Sequence, residues 1–191
     1  MQVYDRDFRF HGRHAKRVSQ LVSQKFFSYN YELMYTAPIY GLLRKRSAEL
    51  DHTKEEESEK EIITKVPTEQ VIGNQSQIRM AYFLVMLNLP EIEDKDFKTH
   101  ADKLFRKVEL TTEDRARFEG FMRGGIDALY EELVQNCPDN PVDQALKVAE
   151  IVREFDLIST VIGSEKLVRM AAGVADHPTD AELTNTNEEL E

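Results

Sequence analysis

The stretch Phe118-Glu-Gly-Phe-Met-Arg-Gly-Gly-Ile-Asp-Ala-Leu-Tyr-Glu-Glu132 carries a strong helical pattern of apolar residues. Its apolar positions recur every three or four residues, which is typical of a helix with one face against a core. Thr111 and Thr112 precede the acidic pair Glu113-Asp114, and either threonine can cap the helix. The sequence therefore predicts a long amphipathic helix from about residue 112. Its apolar stripe consists of Phe118, Phe121, Met122, Ile126, Leu129, Tyr130 and Leu133.

Two adjacent glycines, Gly124 and Gly125, lie in the middle of this helix. Glycine costs a helix interior about 1 kcal/mol relative to alanine, so the pair needs a reason. One interpretation is a close helix–helix approach or a bend. The other is an opening for a small ligand near Tyr130, and both interpretations remain open.

Helical periodicity also occurs on both sides of this stretch. The predicted helices cover 13–27, 31–46 with a kink at Pro38, a short stretch from 67 to 72, 75–88, 94–107, 142–155, and one or two short helices within 157–174. Partial alternation at 2–10 predicts an extended segment or a short edge strand. The predicted fold is all-α, with six or seven helices apart from the shortest stretches, in one domain, residues 1–175.

Two polar segments interrupt or follow this pattern. The run at 47–61 is too polar to bury apolar area, so we expect a flexible loop there. The acidic stretch 176–191 is expected to be a disordered tail.

The charge of the chain is divided unequally. Residues 1–46 contain nine Lys/Arg and three Asp/Glu, whereas the other 145 residues contain 16 Lys/Arg and 32 Asp/Glu. A basic end on an acidic body can bind nucleic acid, an acidic partner protein or the acidic body itself, and these alternatives remain open. The candidate binding residues are Arg9, Arg13, Lys16, Arg17, Lys25, Arg44, Lys45 and Arg46.

Motifs for catalysis are lacking. There is no glycine-rich phosphate loop, and Cys137 has no histidine near it in sequence. His11 and His14 form one pair without a thiol or acidic partner close by, so we expect them to extend the basic surface and not to bind metal. The sequence thus predicts a non-enzymatic protein with no cofactor and no metal.

The chain contains no run of about 18 apolar residues and begins without the apolar region of a signal peptide. A single cysteine excludes an internal disulfide. We therefore expect a cytoplasmic protein without membrane contact, whose oligomeric state the sequence leaves undetermined.

Four sequence segments, taken in chain order, carry a family resemblance: residues 8–21, Ala37-Pro-Ile-Tyr-Gly-Leu-Leu-Arg-Lys-Arg46, the apolar segment 78–87, and residues 118–132. Over residues 8–155 the chain resembles small all-helical proteins of bacterial phage-defence loci, such as those that accompany DNA phosphorothioation. The resemblance implies an accessory role near DNA-acting machinery and supplies no catalytic residues.

The predicted function is a non-enzymatic accessory subunit of a DNA-modification or phage-defence assembly. Its basic N-terminal face would dock a larger acidic protein partner or make sequence-independent contacts with nucleic acid. The alternatives are a helical regulator that binds a small ligand and an enzyme without a recognisable motif.

Overall fold

The computed structural model describes residues 2–55, 60–89, 97–106, 110–136 and 140–154. The prediction of a mostly helical fold is confirmed, with one small sheet in addition. The strands are β1 (Phe8–His11) and β2 (Ile63–Val66). The helices are α1 (Gly12–Ser23), α2 (Leu33–Leu43), α3 (Thr68–Gly73), α4 (Gln75–Leu87), α5 (Phe97–Arg106) and α6 (Thr112–Tyr130), and helical backbone also covers 141–154.

Helix ends follow from local chemistry. The Thr111 side chain accepts a hydrogen bond from the Asp114 N–H at 3.1 Å and caps α6, as one of the two predicted threonines. A 3₁₀ turn (Asn30–Glu32) precedes α2, and the Glu32 carboxylate accepts hydrogen bonds from the Ser28 and Tyr29 N–H groups. Helix α1 ends earlier than the predicted residue 27, because Lys25 adopts a left-handed conformation with φ of 65°.

The two strands pair antiparallel, with Phe8 opposite Val66 and His11 opposite Ile63. The periodicity at 2–10 anticipates β1, but β2 was not predicted. Its residues Ile63-Thr-Lys-Val66 are mostly β-branched and are followed by Pro67, so a local strand signal was present in the sequence, and pairing with β1 completes the strand.

The sheet meets α1 at Gly12. Its N–H donates to the Ile62 carbonyl at 2.8 Å, and φ is +55°. A Cβ atom here would lie 2.2 Å from the Asp51 carboxylate. Glycine is therefore required at this position, both because φ is positive and because Asp51 occupies the space that a side chain would need.

The core lies where α2 and α4 pack on α6. Its largest side chains are almost entirely buried, and each contributes roughly 1.5–3 kcal/mol of hydrophobic stabilisation. They include Leu33, Met34, Tyr40, Ile78, Tyr82, Phe118, Met122 and Ile126.

The chain divides into two compact units, one up to Gln144 and one from Ala145. The first unit contains both strands and α1 to α6. The described part of the second unit, 145–154, is helical. The predicted tail at 176–191, the helices within 157–174 and the tip of the 47–61 run at 56–59 lie outside the described residues.

Candidate functional site

Half of the predicted basic face lies against the acidic end of α6. Helix α1 packs on α6, and three of its side chains surround the Asp127 carboxylate, whose exposed fraction is 7%. Arg17 donates to Oδ1, and Arg13 donates to Oδ2 at 3.4 Å. Arg17 also lies over the Tyr130 ring, with the guanidinium carbon 5.0 Å from its centroid. These arginines therefore bind within the molecule.

His14 is the third group at Asp127 and is 1% exposed. Its Nε2 atom lies 3.2 Å from Asp127 Oδ1, and Nδ1 has no hydrogen-bond partner among the described residues. Burial by itself raises the pKa of the Asp127 carboxyl, but His14 and Arg17 outweigh burial and hold that pKa below its usual range. The expectation that His14 extends a basic surface is wrong, because the side chain faces a buried carboxylate.

Two further arginines bind the π-helical turn (Glu131–Gln135) that continues α6. Arg44 donates to both oxygens of Glu132 at 2.9 and 3.0 Å, and also to the Tyr40 hydroxyl. Arg46 makes the corresponding pair of bonds to Glu131, which lowers the pKa of that carboxyl. Paired bonds of this kind fix both partners in one orientation.

The remaining four predicted cations are exposed: Arg9, Lys16, Lys25 and Lys45. None of them forms an ion pair with another described residue. Lys25 and Lys45 both have positive φ and terminate α1 and α2. Lys16 and Arg9 therefore remain as the exposed cations of the predicted face that have no evident local role.

Gly124 and Gly125 lie at the contact between α2 and α6. A Cβ atom on Gly125 would be 1.8 Å from the Ala37 carbonyl oxygen, and one on Gly124 would be 2.2 Å from that of Arg46. The backbones therefore touch where the glycines lie, which leaves no space for a ligand at these two residues.

A cleft of about 570 Å³ lies elsewhere, between β1 and the N-terminal half of α6. This volume is within the range of small-ligand sites. Residues from both elements line it, together with the segment before β1, His14 of α1, Leu50 and Thr68. The charged or titratable ones are Arg6, Asp7, Arg9, His11, His14, Arg115, Glu119 and Arg123.

The two carboxylates of the cleft are already engaged. Asp7 binds Lys65 at 2.6 Å and accepts hydrogen bonds from Thr68, and these contacts lower its pKa to about 2. Glu119 accepts a hydrogen bond from the Tyr4 hydroxyl at 3.2 Å and lies 3.6 Å from Arg123. The negative charge of the cleft is thus neutralised by its neighbours.

The arginines of the cleft are less fully engaged. Arg115 lies over the Tyr4 ring, and Arg123 donates to the Ala48 carbonyl at 2.9 Å. Arg6 and Arg9 are exposed, and their side chains form no ion pair or hydrogen bond with another described residue. The cleft consequently has excess positive charge.

A second titratable cluster lies at the edge of the cleft and is called the His–His–Glu cluster: His11, His52 and Glu61. Glu61 Oε1 lies 2.9 Å from His11 Nδ1 and 2.5 Å from His52 Nδ1. One ligand atom from each residue lies within 4.8 Å of the others. His52 and His11, in that order, lower the pKa of the Glu61 carboxyl.

Sequence reasoning missed most of this site. Asp127 lies among the apolar residues of α6, and a single acid there forms no motif that sequence analysis would single out. Arg115, Glu119 and Arg123 recur every four residues on one face of α6, and that spacing was the available signal. His11 and His14 are three residues apart in sequence but join different groups.

No protein-family model, curated protein or solved structure matches the chain. The resemblance to phage-defence proteins thus stays a prediction. Among the described residues, no helix combines the length and apolar character needed to cross a membrane.

Proposed function

We propose that this chain is a non-enzymatic binding protein of the cytoplasm whose cleft takes a small anionic ligand, most favourably one with a phosphate group. The proposal rests on which charged side chains of the cleft have partners of opposite charge. Its two carboxylates are engaged by neighbours, whereas Arg6 and Arg9 have no acidic partner among the described residues.

Arginine suits this role because its planar fork donates two parallel hydrogen bonds to a phosphate or carboxylate. A concave site also concentrates the field of its charges and excludes part of the solvent. Tyr4, Phe8 and Phe10 supply apolar wall beside the arginines, which suits a ligand with a ring or an aliphatic part. The features together favour a phosphorylated small molecule over inorganic phosphate alone.

The test is calorimetric titration of the full chain with inorganic phosphate, pyrophosphate and the common nucleoside mono- and triphosphates. We expect at least one of these to bind with one site per chain. The double variant Arg6→Ala/Arg9→Ala should weaken that binding by about tenfold or more, since each charge-assisted hydrogen bond is worth about 1.5–3 kcal/mol.

Arg79→Ala is the matched control. Arg79 is an exposed arginine of α4 outside the cleft. Its removal lowers the net charge by one, as each substitution of the double variant does. Equal affinity in the double variant and the wild type would overturn the proposal, as would the absence of binding to every compound of the panel.

The accessory-subunit function is a second candidate, supported by the exposed cations Arg9 and Lys16. An exposed cation without an internal partner is available to a larger acidic protein or to nucleic acid. Pull-down of the tagged protein from a native lysate, with and without nuclease, separates these two partners. Arg9→Glu/Lys16→Glu should lose the partner, and Arg79→Glu should retain it; retention by both would remove this candidate.

A further inference from the structure

The His–His–Glu cluster brings together residues from three separate chain segments. His11 ends β1, His52 follows Asp51 in the segment after α2, and Glu61 precedes β2. Two imidazole nitrogens approach one carboxylate oxygen, although the residues are up to 50 positions apart. The donor set of two imidazoles and one carboxylate is a recurrent set of protein ligands for zinc.

Backbone contacts fix these segments independently of the three side chains. Lys54 and Glu61 form an antiparallel bridge, the Ile62 N–H donates to the Thr53 carbonyl at 3.2 Å, and the Gly12 N–H donates to Ile62. The Asp51 carboxylate accepts a hydrogen bond from the Arg13 N–H. The backbone therefore holds the three residues together before any ion binds.

The two distances to Glu61 suit a metal after a small adjustment, and all three ligand atoms lie within 4.8 Å of one another. In a tetrahedral zinc site with bonds of about 2.0–2.1 Å, ligand atoms lie about 3.3 Å apart. The observed separations of 2.9 and 2.5 Å must therefore widen by less than about 1 Å. His52 is 62% exposed and His11 and Glu61 are about one-quarter exposed, so their side chains have room to move outward.

We propose that His11, His52 and Glu61 bind one Zn²⁺ ion. Each histidine uses its Nδ1 atom and Glu61 its carboxylate, which leaves a fourth position for water or for a donor atom of a ligand. His11 also lines the cleft, so the ion lies at the cleft's edge. The proposal does not depend on anion binding in the cleft.

Such an ion would cross-link β1, through His11, to the two segments that pair at the Lys54–Glu61 bridge, through His52 and Glu61. Because the three segments are arranged in this way only in the folded protein, zinc would bind the native state and raise its stability. Both a binding titration and a thermal shift therefore report on the same event.

The test uses the full chain freed of metal by chelator and dialysed. Calorimetric titration with Zn²⁺ at pH 7.5 should give one site per chain, and Co²⁺ should give the visible absorption of a four-coordinate site. His52→Ala and Glu61→Gln should each weaken Zn²⁺ binding by about 10- to 100-fold or more, since even groups that only support a ligand have effects of this size. Both variants should also lose most of the thermal shift.

His100→Gln is the control, because His100 lies on α5 outside the cluster, where its Nε2 atom is 3.1 Å from the Met86 carbonyl oxygen. It should bind Zn²⁺ as the wild type does. Binding that persists unchanged in His52→Ala and Glu61→Gln would overturn the proposal, because the ion would then lie elsewhere. Absence of binding in the wild type would also overturn the proposal, and Glu61 would then serve only as a hydrogen-bond partner of the two histidines.

Discussion

Gly125→Ala tests whether the contact between α2 and α6 depends on the absence of a side chain. The added Cβ would lie 1.8 Å from the Ala37 carbonyl oxygen and 2.8 Å from the Gly41 nitrogen. Real Cβ atoms essentially never approach another heavy atom closer than 3.0 Å, so the helices must separate by about 1.2 Å at this point. The obstacle is backbone, which cannot rotate away as a side chain does.

The expected cost follows from two opposing effects. Overpacking a core costs typically 1–3 kcal/mol, and the upper end, about 3 kcal/mol, applies where backbone must move. Alanine restores about 1 kcal/mol of helix propensity. The net loss in unfolding free energy is therefore about 2 kcal/mol, which lowers a urea midpoint by about 1 M for a slope near 2 kcal/mol/M.

Gly73→Ala is the matched control for this experiment. Gly73 ends α3, and a Cβ atom there would meet nothing within 4 Å. Urea unfolding of the full chain, followed by circular dichroism at 222 nm, should show unchanged or slightly raised stability for Gly73→Ala. A midpoint for Gly125→Ala equal to that of the wild type would refute the close-contact reasoning.

Three other predictions concern the ion pairs on α6. Asp127→Asn should lower the unfolding free energy by about 2 kcal/mol. This is less than the cost of about 3–5 kcal/mol for a fully buried pair, because Arg13 and Arg17 are 50% and 22% exposed. The control Asp102→Asn, which changes an exposed acid, should alter stability little in the same urea assay. The depressed pKa of Asp127 contributes stability that is present above the unfolded value near 4 and is lost as pH falls through the lower folded value, so the melting temperature should drop as the pH falls below about 4, and less steeply in Asp127→Asn. Arg44→Lys should cost up to about 1 kcal/mol, since lysine cannot make the paired bonds to Glu132, and a loss equal to that of Arg44→Ala would contradict this.

The helices were predictable because their cause is local. Periodic apolar residues, the Thr111 cap and the Gly73-Asn74 break lie within a few positions of the structure they determine. The partners of the arginines were not predictable in this way. Asp127 and Glu132 are about 90 to 110 residues from Arg17 and Arg44, and sequence pattern carries no information on such pairings.

The candidate site also has a part that the sequence predicted and a part that it did not. The basic N-terminal segment was visible in the sequence, and one of its open interpretations was contact with the acidic body of the molecule. The structure brings Arg13 and Arg17 to α6, brings Arg44 and Arg46 to the π-helical turn that continues it, and leaves Arg9 with Arg6 at the cleft. Which cations would be paired could not be read from charge alone, because pairing depends on helix packing.

The long sequence separation of the α6 contacts has a consequence for synthesis of the chain. The Arg44–Glu132 pair closes a segment of 88 residues, and the Arg13–Asp127 pair one of 114. At about 5–20 residues per second, translation takes roughly 4–18 s to pass from Arg44 to Glu132. For that interval the largely apolar helix α2 has no α6 to cover it. The nascent protein is consequently most exposed to aggregation and to chaperone capture before residue 132 has left the ribosome.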